Sequence, residues 1–318
     1  MNKFAKVILG ISAVLVITGG IFSVAGLVAG GRNQLNEMIG RDALTVPMVF
    51  YQEGNEYGEA DYNLDFDDDQ PMHAGDFRET LSGDVRSMLE KGTLSLDVDV
   101  SGIGFYICES DEDEFLIEGY NLKKAQYYVE DGVLYIKALD RVSWRNPDYG
   151  NGSVYVYLPR ESSFDQAKIQ VGAGSAGVDY MNAKELKCDV AAGSLYFSSM
   201  VAKEAEFDLG MGEIETWEAD VEKMDFQIGM GSMNFSGKIS GDVKGECDMG
   251  SMVMEVEGKA EDHNYRVEAA MGSIQIEGNS YAGNYSGMGV ESDVNNGSDS
   301  TFDLETSMGS IEIYFTNE

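Results

Sequence analysis

Phe226-Gln227-Ile228-Gly229-Met230-Gly231-Ser232-Met233-Asn234-Phe235 decides how this chain folds, because its pattern returns along the sequence. A small residue or Met, then Gly, then usually Ser, recurs around Gly174, Gly193, Gly212, Gly231, Gly250, Gly272 and Gly309, at intervals of 19, 19, 19, 19, 22 and 37 residues. The flanking positions agree as well. Five residues before the glycine stand Ile169, Cys188, Phe207, Phe226, Gly245, Val267 and Leu304; two after it stand Ala176, Leu195, Ile214, Met233, Met252, Ile274 and Ile311. The positions three before and four after are mostly apolar too, from Val171 and Val178 to Ile313.

Parity turns this pattern into geometry. Positions five and three before the glycine share one face of a strand, as do positions two and four after it. The two inner positions are five residues apart, so plain alternation would place them on opposite faces. A corner at the glycine must reset the phase, and glycine supplies the backbone freedom for one. Each unit thus reads as strand, corner, strand and return turn. One unit cannot bury its apolar face alone, whereas stacked copies bury a continuous core. The expected fold is all-β, a β-solenoid of 19-residue coils spaced ~4.8 Å apart, with an antiparallel β-sandwich as the alternative. The final interval leaves 279–299 as a loop or a degenerate coil, and Asn295-Asn296-Gly297 favours the loop.

Upstream of the repeat, alternation continues in Leu94, Leu96, Val98 and Val100 and in Val154-Tyr155-Val156-Tyr157-Leu158, and Asp131-Gly132 reads as a hairpin turn. Residues 30–90 read as an acidic stalk: Tyr51 to Gln70 holds eight acids and no base, without apolar period. That run could attract calcium or a cationic polymer, but a solvated, self-repelling spacer is the simpler reading, and the spacing of an EF-hand loop is missing. At the start, residues 1–6 carry Lys3 and Lys6, and residues 7–29 are uncharged. As a helix that stretch spans ~34 Å, enough to cross a ~30 Å hydrocarbon core. A cleaved signal peptide is the alternative, although its apolar region is usually shorter. The charge placement expects a single-pass membrane anchor with the N-terminus cytoplasmic and residues 30–318 extracytoplasmic. Gly26 and Gly30 form a weak GxxxG pair at its end.

The chain has 318 residues and a net charge of −34, which becomes −36 for the exported part once Lys3 and Lys6 are set aside. Such a polyanion excludes a nucleic-acid partner, which needs a basic face. Cys108, Cys188 and Cys247 are too few and too scattered for a disulfide framework; all three read as buried free thiols.

The anchor, the Leu94–Val100 strand and the closing Ser307-Met308-Gly309-Ser310-Ile311-Glu312-Ile313 resemble the bacterial putative-adhesin family of β-strand-repeat proteins, a domain of unknown function, over residues 91–318. The resemblance implies a membrane-anchored β-repeat protein of the cell envelope, sometimes encoded beside envelope-stress systems. It implies no catalytic residues.

Candidate chemistry is sparse. Asp189 and Asp208 fall at one position of adjacent coils, where two carboxylates could bind calcium weakly, although a solvated face explains them as well. Lys187 would face Glu206, and Asp225 would face Lys244. Met211, Met230, Met249, Met271 and Met308 share one position; thioethers suit copper(I), but gap-filling core is the commoner use. No His lies near the repeated serines, and His263 reads as a loop residue where the spacing widens. The expectation is a structural or binding, adhesin-like protein without cofactor. An accessory or sensor of an envelope-stress system, contacting an envelope polymer or membrane-protein partner, is the alternative, and a carbohydrate-active enzyme is the third.

Overall fold

The computed structural model describes residues 64–81, 83–110, 115–140, 152–159, 162–282 and 289–316. The expected cytoplasmic tail, the anchor at 7–29, the Gly26/Gly30 pair and the first part of the acidic stalk lie outside the described residues. No described helix is long and apolar enough to cross a membrane.

In chain order the described strands begin with β1 (His73–Thr80), followed by the helix α1 (Gly83–Glu90), β2 (Ser95–Ser101), β3 (Ile103–Glu109), β4 (Leu116–Glu130), β5 (Val133–Leu139) and β6 (Ser153–Leu158). Next come β7 (Phe164–Val171), β8 (Gly174–Val190), β9 (Ser194–Leu209), β10 (Glu213–Ile228), β11 (Ser232–Ile239), β12 (Val243–Cys247) and β13 (Ser251–Glu257). The chain closes with β14 (Asn264–Ala269), β15 (Ser273–Ile276), β16 (Asn279–Ala282), β17 (Val290–Val294), β18 (Thr301–Thr306) and β19 (Ser310–Thr316).

Residues 19 apart pair in register and in parallel: Ser175 with Ser194, Ser194 with Glu213, Glu213 with Ser232, and Ser232 with Ser251. The protein is all-β, and its interior is a solenoid-like parallel stack. The sandwich alternative falls on this point, because among the described strands antiparallel pairing is confined to the ends. There β4 runs against β5 and β6, β1 against β4, β16 against β15 and β17 against β14.

Each full coil has three straight sides. In β9, Leu195 and Phe197, then Met200 and Ala202, then Ala205, Phe207 and Leu209 point inward, and the phase slips between the groups. The pairing register skips residues 198 and 203 at these slips. The return expected as a turn is therefore a strand with its own buried pair, repeated as Met181 and Ala183 in the preceding coil and as Ala219 and Val221 in the next.

Coil order does not follow chain order at either end. β18 lies between β12 and β14, and β19 between β13 and β15. Likewise β2 lies between β5 and β7, and β3 between β6 and β8. The stretch expected as a loop or degenerate coil instead supplies β16 and β17, which cover the outermost coil. Each cap ends the parallel stack with an antiparallel strand, limiting the open edge presented to other chains.

The packed body begins before residue 90. Leu64 is buried, Gln126 holds the backbone carbonyls of Asp67 and Gln70, and β1 pairs along β4. Residues 64–90 thus belong to the folded body rather than to a stalk. Helix α1 puts Val85 and Leu89 into the core. It ends where Thr93 N–H donates to Met88 O and Gly92 N–H to Leu89 O, with Gly92 at φ +59°, the left-handed conformation that closes such ends.

Candidate binding groove

The glycine positions form one ladder along the stack, in the spatial order 174, 193, 212, 231, 250, 309, 272. A Cβ on Gly231 would stand 2.6 Å from Gly212 O, and one on Gly309 2.7 Å from Gly250 O. Only Gly174 of the seven has positive φ, at +108°. Glycine is required here chiefly because the preceding coil's carbonyl in the stack passes where a side chain would begin, rather than for the backbone freedom expected from the sequence.

On the strand leading into this corner, one outward position carries a charge ladder. Lys168, Lys187, Glu206, Asp225, Lys244, Asp303 and Arg266 are successive register partners. Lys187 Nζ pairs with Glu206, and Arg266 Nη1 donates to Asp303 Oδ2 at 2.9 Å. The partnership with Glu206 raises the Lys187 pKa above its ordinary value. Beside this ladder, Gln166 Nε2 donates to Glu185 Oε2 at 2.7 Å and Lys223 lies 3.7 Å from Glu204. Together these side chains line an open groove of about 760 Å³ crossing seven coils. Five cations (Lys168, Lys187, Lys223, Lys244, Arg266) stand there among six acids. On a chain of net charge −34 this near-neutral stripe is distinctive. Charges of both signs repeated at the strand spacing of ~4.8 Å suit an extended ligand with regularly placed polar groups.

Asp189 and Asp208, the calcium candidates, are direct register partners. Burial and then the neighbouring Asp189 charge raise the Asp208 pKa, the sign of two carboxylates crowding each other. Among the described residues, no group of three or more His, Cys, Asp or Glu side chains gathers around a point that could hold a metal.

Buried Cys188 and Cys247 are free thiols, whereas Cys108 is only half-buried, contrary to the sequence expectation. Burial, followed by the charge of Asp179, pushes Cys108 up to about 11. His263 is 5% exposed and not on an open loop: its ring packs on Phe302 and Phe315. Its Nδ1 lies 2.8 Å from Ser300 Oγ, whose own proton goes to Gly241 O at 2.6 Å. Nδ1 is therefore the donor in that pair. An imidazole that donates to the hydroxyl has no free lone pair there to take its proton, so this contact reads as structural. Burial lowers the His263 pKa, opposed by Asp262.

The methionines at 211, 230, 249, 271 and 308 do not fill the core: Met230, Met271 and Met308 are among the most exposed apolar side chains. The core methionines are Met181, Met200, Met224, Met233, Met252 and Met254. The Lys187–Glu206 contact was legible from the 19-residue offset, and so was the parallel register of Asp225 with Lys244. The rest of the groove, Lys223 and Arg266 above all, was missed, because Arg266 reaches it only through the displaced order of the last coils.

The model of the Toastrack DUF4097 family matches residues 80–314. No curated protein matches the chain. Similar solved structures include a "putative adhesin" from Bacteroides fragilis NCTC 9343, 10% identical, covering 77% of this chain and 97% of that one with a TM-score of 0.38. A "putative adhesin" from Parabacteroides merdae is 13% identical, covering 76% and 96% with a TM-score of 0.37. A "putative cell adhesion protein" from Clostridium sporogenes is 11% identical, covering 77% and 100% with a TM-score of 0.29.

Proposed function

The chain belongs to the Toastrack DUF4097 family, and from that premise we propose that it is a membrane-anchored, extracytoplasmic protein that binds an extended partner at the cell envelope in an adhesin-like role. The observation that carries this reading is the groove. It runs across coils of identical register, and along it Lys168, Lys187, Lys244 and Arg266 alternate in pairs or singly with acids. Cations are scarce on this chain, 22 against 56 acids, so their concentration on one stripe favours a partner that carries some negative or polar groups and is not repelled outright. The anchoring rests on the uncharged stretch at 7–29 behind Lys3 and Lys6. The proposal assigns the chain no reaction.

Co-sedimentation of the full chain, in detergent, with purified cell-wall sacculi tests the reading. The expected result is retention that weakens with salt and is lost in the Lys187→Glu/Lys244→Glu variant. Equal retention of the variant, or no retention of the wild type, overturns it.

A further inference from the structure

Met211, Met230, Met249, Met308 and Met271 stand in this order on five adjacent coils, outside the core. Their backbones are tied rung to rung: Met230 N–H donates to Gly210 O at 2.7 Å, Met249 N–H to Gly229 O at 2.8 Å, Met308 N–H to Asp248 O at 2.6 Å, and Met271 N–H to Ser307 O at 2.7 Å. Met230, Met271 and Met308 are 53%, 50% and 47% exposed. Packing does not account for them, since the interior uses a separate set of methionines, including Met233, Met252 and Met254, that are fully buried. The corner does not account for them either. Ala173 and Ala192 occupy the same position in the first two repeats, and the glycine ladder continues through both. The residues before the row (Gly210, Gly229, Asp248, Ser307, Ala270) are small or short, and Met230, Met271 and Met308 stand exposed while Met211 and Met249 are half-buried.

We propose that this thioether row binds soft monovalent metal ions, copper(I) or its analogue silver(I), between adjacent coils. Thioether sulfur selects such soft ions over magnesium or calcium, which take oxygen ligands. With the ~2.3 Å of a zinc–thiolate bond as the scale for the similarly sized copper(I), a two-coordinate sulfur–metal–sulfur bridge is ~4.6 Å long, close to the ~4.8 Å between neighbouring strands. Each pair of adjacent methionines can therefore clasp one ion with the backbone unmoved, and the unbranched side chains supply the remaining adjustment. The chain's charge of −34 concentrates cations at its surface, and Asp248 stands beside the row, accepting a hydrogen bond from Ser307 Oγ at 3.3 Å.

The test uses the full chain in detergent micelles, labelled with carbon-13 at the methionine methyls, and titrated with silver nitrate in chloride-free buffer. A parallel anaerobic titration measures competition for copper(I) against bicinchoninate. The expected result is that the row's methyl resonances move while those of Met233, Met252 and Met254 stay, and that the protein draws copper(I) from the chelator. The Met230→Leu/Met249→Leu/Met308→Leu variant should keep its melting temperature and bind roughly tenfold or more weakly. Row resonances that stay in place at saturating silver overturn the proposal, as does a triple variant with wild-type affinity, which would place the ions on the thiols. If the triple variant does not fold, Met308→Leu decides, because it interrupts the row between Met249 and Met271: unchanged affinity and stoichiometry there overturn the proposal.

Discussion

Gly309 lies directly over Gly250, close enough that a Cβ on it would stand 2.7 Å from the Gly250 carbonyl oxygen, while Ser310 N–H donates to that same oxygen at 3.1 Å. Gly272 lies on the far side of Gly309. The last coil of the chain is thus inserted between two earlier ones, and Thr306 Oγ1 reaches Cys247 O at 2.7 Å across 59 residues of sequence.

Deleting residues 301–318 should therefore do more than shorten the stack. It removes an interior coil, strips β14 and β15 of their parallel partners and uncovers the Gly250 corner. The expected outcome is loss of hydrogen-exchange protection in β14 to β17, over 264–282 and 290–294, on deletion. Retained protection there would show that β14 can dock on β12 unaided.

Gly231→Ala should destabilise by about 2–3 kcal/mol. The new Cβ meets Gly212 O at 2.6 Å and Leu209 side-chain atoms at 2.7 and 2.8 Å, and the ladder's backbone cannot yield without breaking its own hydrogen bonds. Urea denaturation reads the loss. Gly278→Ala, with open space around it but φ +80°, should cost less, about 1 kcal/mol.

Stability should fall on acidification through His263. Its folded pKa is lowered from the ordinary value of 6.5 by burial, so between those two values the unfolded chain binds more protons than the folded one. Stability from this residue is complete above that window and declines as pH drops below 6.5. His263→Asn, which keeps a donor for Ser300 Oγ, should flatten the fall in melting temperature between neutral and mildly acidic buffer. An unchanged pH profile would sink this assignment.

Cysteine labelling should discriminate three environments. Cys188, sealed in the core, should react only on unfolding, and so should Cys247, pushed up to about 11 by burial. Half-buried Cys108, also at about 11, should label slowly and faster as pH rises. Mass spectrometry after alkylation of the native chain distinguishes the sites.

Asp208→Asn should raise stability by roughly 0.5 kcal/mol, because it removes one of two like charges facing each other across a pair of strands. Thermal melts at neutral pH measure it. Millimolar calcium should leave the wild-type melt unmoved; an upward shift abolished in Asp208→Asn would instead establish a cation on the Asp189–Asp208 pair.

Much of this architecture was legible residue by residue. The inward columns of Phe207 and Phe226, or of Leu195 and Met233, followed from spacing, and so did the facing of Lys187 with Glu206. The third side of each coil carried the same signal in Met181, Met200 and Ala219, but Ala and Met among polar neighbours do not mark a strand as Phe and Ile do. The outward turn of the methionine row was hidden for a different reason. The row sits beside the corner itself, where the phase is reset, so parity cannot tell inside from outside.

The sequence by itself determined the repeating unit, its length and its all-β character, because side-chain alternation and a recurring glycine are local properties of the chain. Only the tertiary structure decided the order of the coils and which faces meet the solvent. Coils with matching corners can stack on any neighbour of like register, so the flanking glycine phrases of Gly250, Gly272 and Gly309 carry no order. The caps settle it: the stretch after β15 doubles back to cover the outer coil through antiparallel pairs, and the chain's last strands take the parallel slot that remains inside.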